Sequence, residues 1–166
     1  MAWTDSRIFT QSVLNPLTAS VWTTTEPTTY ATSGLSADTV NVALFGTSAT
    51  PDRDAAVTSI GYNTGVWTTG NEVTDPTNWT AGGRPLASKT YTAGTSVVAF
   101  DAADTAGAGN VTISAAFGCL VYDNSITAGT VAKQGMCFNY FGGTQSVTSG
   151  TFTIVWDSTG IFKFTV

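Results

Sequence analysis

Ala115-Ala116-Phe117-Gly118-Cys119-Leu120-Val121-Tyr122 is the stretch whose reading decides the fold. It is apolar at both alternating sets of positions. As a strand it buries both faces, so it belongs at the centre of a sheet that is covered from either side. A second apolar run, Gly135–Phe141, follows after Asp123–Gln134. A symmetric hairpin centred on Ala128 sets Cys119 directly opposite Cys137.

Further strands are predicted on both sides of this pair. Thr39–Phe45 alternates, with Val40, Val42 and Leu44 on one face. Leu86–Thr92, Ser96–Asp101 and Asn110–Ser114 read as strands. Turn signals separate them at Ala93-Gly94, Ala106-Gly107-Ala108-Gly109, Gly142-Gly143 and Ser149-Gly150. At the end, Thr151–Trp156 and Ile161–Val166 flank Asp157-Ser158-Thr159-Gly160. A three-residue loop with Gly160 left-handed pairs Trp156 with Phe162, Ile154 with Phe164 and Phe152 with Val166. All six then share one side, which a register slipped by one residue would not allow. Loss of Phe164–Val166 should therefore damage the fold. No repeat of fixed period is present.

Two helices are predicted. Trp3–Leu14 places Ile8, Phe9, Ser12 and Val13 near one face, with Asp5 as cap and Pro16 as stop. Pro51–Gly61 reads as a short helix begun by Asp52 and ended by Gly61. Between them, Ala19–Ala37 is a Thr-rich arm with Pro27 and Gly34. The predicted architecture is mainly β, an antiparallel β-sandwich or barrel-like body with an N-terminal helix and one short additional helix. Residues 1–38 form the helix and arm, and residues 39–166 the body of a single domain. At 166 residues the chain buries a sizeable core without disulfide or metal.

Composition narrows the chemistry. The chain has no histidine, and only 10% of its residues are charged. Histidine is the usual general base, proton shuttle and metal ligand, so most catalytic designs are removed with it. Ser88-Lys89 does not match a Ser-x-x-Lys pair, and the glycine clusters fit no phosphate-binding loop. No enzyme activity and no cofactor are expected. A net charge of −5, with six scattered basic residues, suits solubility better than a grip on nucleic acid. No apolar run is long enough for a membrane span. The start MAWTDSRIFTQ lacks a secretory pattern, so synthesis in a cytoplasm is expected. In that setting Asn78-Trp79-Thr80 and Asn110-Val111-Thr112 are chance matches to a glycosylation sequon.

Several residues carry competing readings. Cys119 and Cys137 are open to a disulfide, a metal site or two buried thiols. Apolar strands, a reducing compartment and the absence of a His or Cys-x-x-Cys partner favour thiols, and no metal is expected. Asp52/Asp54 and Asp101/Asp104 read as caps and turn formers rather than calcium ligands or a carboxylate pair. Glu72 reads as loop. Tyr62, Trp67 and Trp79 lie in turn-rich sequence, where they make either a glycan or partner surface or part of the core.

One resemblance adds to this. The strings Val40-Asn41-Val42-Ala43-Leu44-Phe45-Gly46, Thr50-Pro51-Asp52-Arg53 and Gly61-Tyr62-Asn63-Thr64-Gly65 are followed by Gly70-Asn71-Glu72-Val73, Asn78-Trp79 and Ala81-Gly82-Gly83. Phe100-Asp101-Ala102-Ala103-Asp104, Leu120-Val121-Tyr122-Asp123, Phe141-Gly142-Gly143 and Trp156-Asp157-Ser158-Thr159-Gly160 complete the set. Over Thr39–Val166 the chain resembles small virion structural proteins of tailed bacteriophages, particularly those infecting actinobacteria. The resemblance implies a head decoration protein on the capsid surface of the virion, made in the host bacterial cytoplasm. It implies binding to the major capsid protein and to copies of itself, with a trimer as the expected homo-oligomer. Trp3, Ile8, Phe9, Trp22 and Tyr30 would then serve as the clasping arm. A minor tail or fibre-associated protein that binds host-envelope glycan through Tyr62, Trp67 and Trp79 is the alternative. Neither role implies catalytic residues.

Overall fold

In the computed structural model, residues 3, 5–10, 38–94, 96–127 and 132–165 are described. Among these described residues ten strands are formed: β1 (Arg7–Ile8), β2 (Val40–Phe45), β3 (Arg84–Pro85), β4 (Thr90–Gly94), β5 (Val97–Asp101), β6 (Thr105–Ala106), β7 (Val111–Asp123), β8 (Gly135–Gly150), β9 (Thr153–Ile154) and β10 (Phe162–Thr165). They make a five-stranded sheet in the order β1-β8-β7-β2-β3, a three-stranded sheet β10-β5-β4 and a two-stranded sheet β6-β9. All pairings are antiparallel.

β7 is the middle strand of the large sheet, as its two-sided apolar pattern requires. Alternation then sorts the core into two layers. Val40, Val42, Leu44, Cys119, Val121 and Cys137 face one side, together with Phe100, Ile154 and Ile161 from the small sheets. Ala43, Phe45, Leu120, Tyr122 and Phe138 face the other, beneath Ile60, Tyr62, Trp67, Trp3 and Phe9. The small sheets cover one face, and the loop 46–72 with the N-terminal segment covers the other.

The β7–β8 hairpin forms, but its register differs from the symmetric one. Cys119 faces Asn139, and Cys137 faces Val121. The two cysteines are diagonal neighbours rather than opposed; both are free and buried. Gly142-Gly143 is not a turn. It lies within β8, where three extra residues oppose Phe117 between the pairs Ala116–Gln145 and Gly118–Tyr140. Gly142 has φ of 77°, so the bulge suits a residue without a Cβ.

Both predicted helices are corrected. In the described part of Trp3–Leu14, Arg7 and Ile8 form strand β1, paired with Phe138 and Cys137. Phe9 N–H continues the ladder to Met136 O at 3.1 Å, and Thr10 N–H reaches Arg53 O at 2.9 Å. The open edge of β8 supplies hydrogen-bond partners that sequence periodicity cannot show. Within Pro51–Gly61, the Asp52 carboxylate accepts from Asp54 N–H at 2.9 Å and closes a turn instead of starting a helix. One 3-10 turn, Val57–Ser59, follows without a side-chain cap.

The predicted C-terminal hairpin is corrected as well. The turn exists: Gly160 N–H donates to Asp157 O at 2.8 Å, and Gly160 has φ of 110°. Its two arms diverge. β9 pairs with β6, and β10 pairs with β5. Residues 153–165 therefore run antiparallel beside 97–106, and the turn is an insertion in that ribbon. Phe162 faces Phe100, not Trp156, and Phe164 faces Val98, not Ile154.

Candidate interaction surfaces

Trp67 is the hub of an aromatic cluster. Its ring lies 5.1 Å from Phe45, 5.6 Å from Trp3, 5.8 Å from Phe9 and 6.0 Å from Phe138. Three of these contacts are edge-to-face, the geometry that the ring quadrupole favours. Trp67 is 1% exposed and Trp79 is 0% exposed. Trp79 stands edge-on to Phe152 at 5.6 Å in the opposite core layer. The three residues of the proposed glycan surface are thus buried and divided between two layers, with no open ring face for a sugar.

Tyr62 belongs to a polar network that the sequence does not reveal. Its hydroxyl donates to Glu72 Oε2 at 2.7 Å, and its ring stacks on Tyr122 at 4.8 Å. Tyr122 donates to Gly82 O at 2.7 Å, while Gly82 N–H donates to Glu72 Oε1 at 2.9 Å. Asn41 Nδ2 also donates to Gly82 O, at 3.1 Å. Burial pushes the Glu72 carboxyl above its ordinary range, against the stabilising donors from Tyr62, Gly82 and Gly83. Burial pushes Tyr122 up to about 12 and Tyr62 further still. Gly83, with φ of 68°, lies so close to β2 that a Cβ would overlap the Val42 carbonyl. The network fastens the 79–86 loop to the central sheet. The adjacent Gly82-Gly83 pair is its one sequence signal.

Asp54 accepts from the Thr10 hydroxyl at 2.6 Å and pairs with Arg53, while the other members of the acidic pairs accept from backbone N–H groups. Asp101 accepts from Ala102 N–H at 2.9 Å, and Asp104 from Trp156 N–H at 3.0 Å. Asp75 accepts from Thr77, Asn78 and Thr112 N–H groups, which hold its carboxyl below the usual range. Among the described residues no group of three or more Cys, Asp or Glu is placed to hold a metal. No helix among them is long and apolar enough to cross a membrane.

Of the arm residues, Trp3 and Phe9 are buried in this chain's own core and Ile8 packs against it. Trp22 and Tyr30 lie outside the described residues, as does the arm Ala19–Ala37. Exposed apolar surface occurs elsewhere. Tyr91 is 42% exposed and Val98 43% exposed. Register places Tyr91, Val98, Phe100, Phe162 and Phe164 on one face of the three-stranded sheet. Phe100 is buried, with Tyr91 and Phe162 each 5.2 Å away. The apolar face continues from Phe100 to the half-open Val98, beyond the edge of the core. Nearby, a cleft of about 270 Å³ between β1 and β10 is lined by Arg7, Ile8, Asn139, Phe162 and Lys163.

No family model matches the chain, and no curated protein or solved structure is significantly similar to it.

Proposed function

We propose that this chain is a non-enzymatic structural protein of a phage virion. In this reading it is a decoration protein with a β-sandwich body that binds the outside of the major capsid lattice and copies of itself. The observation that carries the proposal is the half-open apolar face at Tyr91 and Val98, which no other described segment covers. Such a face fits a partner protein better than a small ligand, because it is continuous with the core. The sequence resemblance over Thr39–Val166 supplies the identity of that partner. Repetition across many lattice sites turns a weak single contact into firm binding when copies are joined, and a trimer meets that need. The tail alternative has less support, since Tyr62, Trp67 and Trp79 present no platform for glycan.

The test is reconstitution. Purified chain is mixed with capsids lacking it, and bound copies are counted by density on the head. Binding at a copy number set by lattice symmetry, weakened at least tenfold by Val98→Asp, supports the proposal. One to six copies confined to the tail of virions would refute it.

A further inference from the structure

Asp38 and Asp123 meet where the chain runs into β2. Val40 is the register partner of Asp123, so Asp38 lies beside the end of β7. Asp38 is 7% exposed and Asp123 only 1%. Asp123 Oδ1 accepts from Ser125 N–H at 2.8 Å. Asp123 Oδ2 is buried with no hydrogen-bond partner, and the groups that act on this carboxyl are the backbone N–H groups of Ser125 and Ile126, which favour its charge, and the side chain of Asp38, which opposes it. Two carboxylates in contact and out of water repel, and a carboxylate oxygen without a donor is costly. A proton held on Asp123 removes both problems, because a protonated carboxyl becomes a donor.

Other groups at this corner do not supply the missing charge. Tyr91 of β4 lies near both acids and feels their charge. Lys89 directs its ammonium to the backbone carbonyl of Asp38. The ion pairs among the described residues are Arg7–Asp5 and Arg53–Asp54, both remote from these acids in sequence and exposed. The backbone is tied at the same place: Thr39 N–H donates to Ser125 Oγ at 2.7 Å, and Asn124 N–H to Thr39 O at 2.8 Å.

We propose that Asp123 keeps a proton and donates it as a hydrogen bond toward the Asp38 carboxyl, an acid-closed latch that joins the residues leading into β2 to the turn that follows β7. Burial, reinforced by the neighbouring Asp38 carboxyl, pushes Asp123 up to about 6. The folded value lies above the unfolded value of about 3.9, so the fold favours the protonated form. The latch contributes fully below the ordinary carboxylate range, and its contribution is lost as pH rises through about 6. The acid that closes it belongs to the body, and the segment it secures is the one leading out of residues 1–38.

Denaturant unfolding of the full chain between pH 4.5 and 7.5 tests this, comparing wild type with Asp123→Asn and Asp38→Asn. The wild-type folding constant, divided by that of Asp123→Asn, should fall by about ten- to a hundredfold across this range, the span one proton with this shift allows. The protection of the Asn124 amide, taken relative to its intrinsic exchange rate at each pH, should fall over the same interval in wild type and stay level in Asp123→Asn. If Asp123→Asn does not fold, the carboxyl carbon-13 shift of Asp123 is titrated in wild type instead: a midpoint near 6 is expected, and one in the ordinary carboxylate range overturns the proposal. A ratio that does not change with pH overturns the proposal. A gain in stability from calcium at pH 7.5, present in wild type and absent in the variants, also overturns it by making the pair a cation site.

Discussion

Trp3, from the segment ahead of β1, packs its ring directly onto Gly118 in the middle of β7, and its indole N–H donates to Gly46 O at 3.1 Å. A Cβ at position 118 would overlap both the Trp3 ring and the Asn139 carbonyl. Gly118→Ala should therefore destabilise by about 1–3 kcal/mol through overpacking. Trp3→Ala should cost about 3–5 kcal/mol. The costs should not add, because removing the ring relieves part of the strain at Gly118. Chemical denaturation of both single variants and the double variant measures this, and simple additivity would show that the contact is absent.

The ribbon that replaces the C-terminal hairpin makes a sharp prediction. Phe100 and Phe162 are register partners with rings 5.2 Å apart, so a double-mutant cycle to Leu should give a coupling of about 0.5–1.5 kcal/mol. Ile154 and Phe164 lie in different sheets and should show coupling near zero. A large coupling for the second pair and none for the first would restore the hairpin.

Tyr62→Phe removes a donor from a Glu72 carboxylate that burial already disfavours. At pH 7 the loss should be about 1.5–3 kcal/mol, as for a hydrogen bond to a charged group. Glu72 has a raised folded-state value, so its ionised form is the costly one. As pH falls and Glu72 takes up a proton, the gap between wild type and Tyr62→Phe should narrow. Melting curves at pH 4 and 7 check it; a gap that widens in acid contradicts the network.

Burial pushes the Cys137 thiol up to about 12 and Cys119 higher. The thiolate is the reactive form, so both residues should resist alkylation in the native protein. Intact-mass measurement after iodoacetamide should show no adduct when folded and two in denaturant. Resistance in denaturant without reductant, reversed by reductant, would indicate a disulfide instead.

Much of the central sheet is legible in the sequence, because its signals are local. The alternation of Val40, Val42 and Leu44 and the two-sided apolarity of Ala115–Tyr122 survive intact. The failures share a different cause. Ile8 and Phe9 fit helical spacing equally well; the edge that claims them is Cys137 and Phe138, far along the chain. Asp157–Gly160 encodes a turn, yet which strands flank it is decided by 97–106. Glu72 looks like loop because its partners Tyr62 and Gly82 are each ten residues away, and Tyr122 is farther still. Asp38 and Asp123 carry no shared motif, so only the β2–β7 register brings them together.

The pairing of β1 with β8 has a consequence in time. Trp3, Ile8 and Phe9 are made first, but Cys137 and Phe138 emerge some 130 residues later, a delay on the order of ten seconds at usual synthesis rates. Until then these apolar side chains have none of their native β8 contacts. The vulnerable period of this protein is therefore its own synthesis, and a ribosome pause before β8 should cost more yield than one after it.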